Sequence, residues 1–271
     1  MTQPTSGIEL IAEAFARARA DGRRAALMPY LMGGFPSLVI SRRIGLAYAR
    51  AGADLVELGV PFSDPLADGP VIHAAATAAL AGGATLPAVL DVGRAIAQRV
   101  PVIVMCYANV VLARGLERFV DALAQSGVSG LIVPDLPFEE SQSALEACEE
   151  RGIALVPLVA PTTPEERLAR IAAAARGFLY AVSLTGTTGE RTGGEDGLEA
   201  LIRRAGAQTE VPVAVGFGIG TPEQAAAAAA AGADGVIVGS RLVRAAGEAA
   251  DPVGAVSELV GAFSAALSAP A

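Results

Sequence analysis

Eight short runs of branched apolar residues, each followed by a stretch of helical periodicity, set the tightest limit on how this chain can fold. They are Leu27–Met32, Asp54–Val60, Val102–Tyr107, Gly130–Asp135, Ala154–Ala160, Phe178–Ser183, Val211–Gly218 and Gly235–Ser240. Continuous apolar runs of this length suit parallel strands buried on both faces; strands of a half-exposed sheet would alternate. Successive starts lie 24 to 33 residues apart, with one interval of 48. Spacings near 25 fit one β-loop-α-loop unit, and eight such units close a barrel, with the intervals of 48 and 33 residues breaking the rhythm. An open doubly wound sheet would show fewer strands and a glycine-rich first turn. The expected fold is therefore a single-domain (β/α)8 barrel over residues 1–271, without linker or repeat. Ahead of the first run, Ile8, Ile11, Phe15 and Ala18 share one helical face, which predicts an extra N-terminal helix plugging the bottom of the barrel. Thr163-Pro164-Glu165-Glu166 and Thr221-Pro222-Glu223-Gln224 predict helix starts with Thr at the N-cap.

What the chain lacks narrows its chemistry. All 20 basic residues are arginine, so an internal lysine imine and a covalently held pyridoxal phosphate are excluded. One histidine, His73, and two cysteines, Cys106 and Cys148, leave little from which to build a zinc site or a Ser-His-Asp triad, and no metal site is expected. Both cysteines lie in apolar or helical patterns and read as buried thiols in a reducing compartment. The net charge of -8 argues against nucleic acid or an anionic membrane as partner. Residues Met1 to Leu10 lack the basic start and apolar run of a secretory leader, and charged residues bracket the alanine-rich stretches too closely for a membrane span. The expected location is the cytoplasm.

Two connections are long, and both follow strands: Gly59–Pro70 and Leu184–Asp196. Loops at the C-terminal ends of barrel strands build the active site, and long glycine-containing ones are candidate lids. Gly216-Phe217-Gly218-Ile219-Gly220 ends the seventh run and Gly239-Ser240 the eighth, where backbone amides and a helix N-terminus hold phosphate in many barrels. Ser240 is expected to cap the turn that follows. Glu57 alternates in phase with Leu55, so it should face the barrel interior, where a carboxyl group is costly unless paired or functional. Desolvation there raises its pKa toward that of a proton-transfer group at neutral pH. Asp64 and Asp68 read equally well as catalytic or as turn residues, and His73 reads as a surface or capping residue. Tyr107 and Tyr180 are candidates to line a pocket for a flat ring, and Asp135 also falls at a strand end.

The run Asp54-Leu55-Val56-Glu57-Leu58-Gly59-Val60-Pro61-Phe62-Ser63-Asp64-Pro65-Leu66-Ala67-Asp68-Gly69-Pro70 closely resembles the signature of tryptophan synthase alpha chains. The resemblance continues at Tyr107-Ala108-Asn109, Pro134-Asp135-Leu136-Pro137 and Tyr180 to Gly189, and ends at Gly216-Phe217-Gly218-Ile219 and Gly239-Ser240. It implies cleavage of indole-3-glycerol phosphate to indole and glyceraldehyde 3-phosphate, and a beta-chain partner in an α2β2 assembly. Pyridoxal phosphate is then expected only in that partner, with no cofactor in this chain. By position the resemblance implies that Glu57 and Asp68 are catalytic. It places Tyr30, Met105, Tyr107, Tyr180 and Thr188 at the substrate, and Gly189, Phe217, Gly218, Gly239 and Ser240 at its phosphate. It also implies that Asp64, Asn109 and Pro137 face the beta chain. Met32-Gly33-Gly34 departs from the typical version and bears on the shape of the ring pocket.

The residue chemistry agrees. Retro-aldol cleavage needs an electron sink, usually a lysine imine or a divalent metal. A substrate with an indole ring supplies its own once C3 is protonated. The chain must then provide an acid/base at C3 and at the glycerol hydroxyl, for which Glu57 suits, and an anion near the ring N–H, for which Asp68 suits. Three other readings remain open at this point: a stand-alone indole-releasing lyase, a catalytically dead phosphate-binding regulatory barrel, and a flavin or isomerase barrel.

Overall fold

The computed structural model describes residues 5–182, 195–216 and 218–268, without the side chains of Glu195 and Asp196. Thr188, Gly189, Phe217 and nearly all of the second long connection lie outside them. The described strands are β1 (Ala26–Met32), β2 (Val56–Gly59), β3 (Val102–Met105), β4 (Gly130–Ile132), β5 (Ala154–Leu155), β6 (Leu158–Val159), β7 (Leu179–Val182), β8 (Val213–Gly216) and β9 (Gly235–Val238). All pair in parallel in the order β5-β4-β3-β2-β1-β9-β8-β7-β6.

The nine strands correspond to the eight expected runs, because the run Ala154–Ala160 divides in two. Its first half pairs with β4 and its second half with β7. Val156 N–H still donates to Leu131 O at 2.9 Å, and Pro157 O accepts from Tyr180 N–H at 3.0 Å. One segment thus pairs on both sides and closes the barrel. The division falls at Pro157, which has no N–H to offer a ladder.

The helix Gly7–Ala20 buries Ile11, Ala14, Phe15 and Ala18 in one cluster with Met28, Leu55, Ile103 and Phe178 from inside the barrel. It is the expected bottom plug, and a reciprocal Ser6–Glu9 capping box starts it. A separate cluster, including Leu27, Leu31, Val56 and Leu58, packs outward against the surrounding helices. Alternate residues along most of the strands therefore serve two different cores, while Tyr30, Leu31 and Met32 at the end of β1 share one.

Carboxylates tie the lower strand ends together. Asp54 accepts from Leu27 N–H at 2.8 Å and is ion-paired with Arg23. Asp234 accepts from Val213 N–H at 2.9 Å and from Arg19 at 2.8 Å. Both acids therefore satisfy strand N–H groups that would otherwise lack partners.

The 48-residue interval holds a loop and two helices, Pro70–Ala81 and Leu86–Ala97, in place of the usual one. Thr221 caps its helix through Gln224 as expected. Thr163 does not. Its hydroxyl accepts from Ala160 N–H at 3.0 Å, and the helix begins at Glu165 with Pro164 at the N-cap. No single helix among the described residues is long and apolar enough to cross a membrane.

Candidate active site

Every strand delivers its chain upward to one rim, where a cavity of about 1060 Å³ opens. Tyr30, Glu57, Asp68, Met105, Tyr180, Gly218, Gly239 and Ser240 all line it. Residues from both halves of the sequence therefore converge on one space, which their spacing along the chain alone does not reveal.

Glu57 stands beside Tyr30 of β1 and Ile103 of β3 in the sheet register. It is only 1% exposed, and its Oε2 has no hydrogen-bond partner among the described residues. Burial, with the negative charge of Asp68 adding to it, pushes its carboxyl pKa from the ordinary 4.5 up to about 8. Near neutral pH the group is mostly protonated and is therefore an acid. Tyrosines flank it. A Cβ on Gly59 would lie 2.0 Å from the Tyr30 hydroxyl oxygen, and one on Gly216 would lie 2.2 Å from that of Tyr180. Glycine is therefore required at both positions to seat a phenol across the neighbouring strand. Burial raises both phenol pKa values, and Glu57 adds to each.

Asp68 sits on the loop after β2 and is half-buried at the cavity wall. Burial raises its carboxyl above the usual range, against the opposing pull of the Tyr107 hydroxyl and of His73. Tyr107 does not line the cavity as the sequence leads one to expect. It is buried outside the cavity wall, accepts from Ala67 N–H at 3.0 Å and hydrogen-bonds the Asp68 carboxylate. Its ring packs on Phe62 with centroids 5.4 Å apart. One side chain from the end of β3 thus holds the loop after β2 at both the backbone and the carboxylate.

The opposite wall holds Gly218, at φ +85°, a conformation that favours glycine, and Gly239, the N-cap of the helix Ser240–Glu248. Ser240 is the first residue of that helix and not its cap, a correction to the expected cap role. The strand ends at Val238, so the backbone turns into the helix earlier than the apolar run implies. Arg241 and Arg244 also line the cavity here. The sequence pattern alone singles out neither, although Arg241 directly follows Ser240 and Arg244 lies one turn further along the same helix, whose N-terminal dipole is also positive.

Of the remaining candidates, Asp64, Asn109 and Pro137 are exposed on loops or short helices at the same rim. Asp135 accepts from Ala108 N–H at 2.8 Å and so ties two rim segments together. Cys106 and Cys148 are free and buried. Met32 lies with its sulfur 4.0 Å from the Tyr30 hydroxyl, and a Cβ on Gly33 would meet Val89 at 2.4 Å. Among the described residues no group of three or more His, Cys, Asp or Glu is placed to hold a metal ion.

Comparison with known proteins yields a consistent set of relatives. The tryptophan synthase alpha chain family matches residues 15–266. A tryptophan synthase alpha chain from Prochlorococcus marinus (strain MIT 9313) is 48% identical over 255 residues, which is 93% of this chain and 92% of the relative. One from Gloeobacter violaceus is 51% identical, covering 86% of this chain and 85% of the other. Among solved structures, Mycobacterium tuberculosis tryptophan synthase superposes with a TM-score of 0.88 at 40% identity, covering 96% of this chain and 98% of that one. The alpha subunit from Legionella pneumophila str. Paris gives 0.87 at 35% identity, covering 95% and 98%.

Proposed function

The chain belongs to the tryptophan synthase alpha chain family, and from that premise we propose how its barrel carries out the alpha reaction. That reaction is the cleavage of indole-3-glycerol phosphate to indole and glyceraldehyde 3-phosphate, within tryptophan biosynthesis, and the chain is a lyase. The retro-aldol step runs through Glu57 and Asp68. Neutral Glu57 donates its proton to C3 of the indole ring, and the ring nitrogen takes up the positive charge. The resulting Glu57 carboxylate then accepts the proton of the glycerol hydroxyl. As that hydroxyl becomes the aldehyde carbonyl, the bond from C3 to the glycerol chain breaks and its electrons restore the aromatic ring. Glu57 ends in the state in which it began, and no external acid, base or oxidant is consumed. Asp68, as an anion near the ring N–H, offsets the positive charge while it lasts.

One observation carries this reading. An acid raised to about 8, with a bare Oε2, faces a cavity that also holds a second carboxylate. A merely structural carboxyl group in a barrel would be expected to have its oxygens satisfied. Around it, Tyr30, Met105, Tyr180 and Thr188 take the ring and chain of the substrate. Gly189, Phe217, Gly218, Gly239 and Ser240 take the phosphate, with the dipole of the helix Ser240–Glu248 and its two arginines supplying positive field.

The family pairs this barrel with a beta chain, to which pyridoxal phosphate belongs. We assign the assembly as α2β2, with Asp64, Asn109 and Pro137 on the docking face, no cofactor in this chain and a cytoplasmic location. The test of the catalytic assignment is indole release by Glu57→Gln, which keeps shape and removes the acid/base. Its turnover should fall by about 10²–10⁴-fold while substrate binding stays within about tenfold. Wild-type turnover in a folded Glu57→Gln protein would remove the assignment.

A further inference from the structure

A second concavity, sharing no residue with the catalytic cavity, lies between the helices Leu86–Ala97 and Leu116–Gln125. It encloses about 410 Å³ and is lined by Arg94, Arg114 and Arg118 around a floor that includes Leu90 and Ala122. Three guanidinium groups meet one carboxylate there, Asp91, on a chain whose net charge is -8.

The pairing is lopsided. Asp91 engages Arg94, which also reaches the Ser126 hydroxyl at 3.4 Å. The acidic residues of the helix Leu116–Gln125 are drawn off elsewhere, because Arg151 holds Glu117 and Asp121 at 2.6 Å each. Arg114 and Arg118 have no side-chain hydrogen bond or ion pair among the described residues. Both are exposed to solvent, and their place on the helix favours an anion beside them. The N-cap is Gly115, which offers no side-chain acceptor, and Arg118 is the third helical residue, within the positive end of the dipole. Two unpaired cations thus stand where an anion is already favoured, over an apolar floor and beside a third guanidinium.

We propose that this groove is an anion site, separate from the catalytic cavity, for a small phosphorylated metabolite. The phosphate bridges Arg114 and Arg118 through charge-assisted hydrogen bonds, and the body of the ligand rests on Leu90 and Ala122. Arg94, fixed by Asp91, flanks it.

The probe is inorganic phosphate, titrated into the full chain carrying Gly218→Val, a substitution expected to close the catalytic phosphate pocket. The signals to follow are the backbone amides of Gly115 and Ser126. They should shift saturably, and Arg114→Gln/Arg118→Gln in the same background should weaken the response by about tenfold or more. The double arginine variant with Gly218 intact should still cleave indole-3-glycerol phosphate at close to the wild-type rate. Asp91→Asn, which removes the competing carboxylate, should tighten phosphate binding. Equal shifts with chloride at matched ionic strength, an undiminished response in the double variant, or no response once Gly218 is replaced would each overturn the groove site. Each would leave the reading of the catalytic cavity intact.

Discussion

Replacing Glu57 by glutamine should change how stability depends on pH in a way that can be worked out in advance. Below the ordinary carboxyl pKa of 4.5, Glu57 is neutral in the folded and unfolded chain alike. Above it, the unfolded chain ionises this group, while the folded chain keeps it neutral up to about 8. Folding then requires the carboxyl group to take up a proton, so stability falls as pH rises through this window and levels off above the folded value. Over the whole window the loss amounts to about 5 kcal/mol, and between about pH 5 and about pH 9 to roughly 4 kcal/mol. Glutamine cannot ionise. Its amide carries a cost for imperfect pairing, but that cost is the same at every pH. Urea unfolding of both proteins across this range isolates the effect, because all other ionisable groups are shared and cancel in the difference. The stability advantage of Glu57→Gln over wild type should grow by roughly 4 kcal/mol from about pH 5 to about pH 9. Parallel curves would show that Glu57 ionises normally in the barrel, and the argument for a buried neutral acid would fail.

Other perturbations probe what surrounds this group. Tyr107→Phe removes the hydroxyl that holds both Ala67 N–H and Asp68, and kcat/KM for indole-3-glycerol phosphate should fall by about tenfold or more with the fold intact. An unchanged value would mean that Asp68 is positioned by something else. Arg23→Ala leaves Asp54 buried without its ion pair, and urea unfolding should show a loss of about 3–5 kcal/mol; a loss below about 1 kcal/mol contradicts the pairing argument. Adding the cognate beta chain should raise steady-state indole formation by about ten- to a hundredfold, as expected if docking shifts a largely open rim to a closed one. Full activity of the isolated chain would favour a stand-alone lyase.

The barrel is readable from the chain because its strands are buried on both faces, so each prints an unbroken apolar run, and because most of the units recur at a spacing near 25 residues. Glu57 stood out for the same reason, as a charge inside a run where every neighbour is apolar. The ends of the strands were harder to read. Val133 and Gly239 look like continuations of their strands, yet the backbone has already turned into the loops of the rim. Ser240 looks like a cap because the strand pattern carries the chain on to it, whereas the strand ends at Val238 and Gly239 takes the cap position. The division at Pro157 depends on which strands lie to either side, and no local pattern carries that information. Tyr107 looked like a pocket residue because aromatic rings at strand ends often are. Its task depends on Ala67, 40 positions away, and only the folded chain brings the two together.

The proposed retro-aldol step needs neutral Glu57 as the acid that protonates the ring, with Asp68 holding its proton in place by charge. The most direct measurement is the pH dependence of kcat/KM for indole-3-glycerol phosphate, which reports the ionisations of the free enzyme. The wild type should lose activity above about pH 8, where Glu57 gives up its proton. In Asp68→Asn, slower but measurable, that alkaline limb should move to lower pH, because a negative charge that raises Glu57 has been removed. A profile flat beyond about pH 9, or an alkaline limb that stays in place when Asp68 is neutralised, would contradict it.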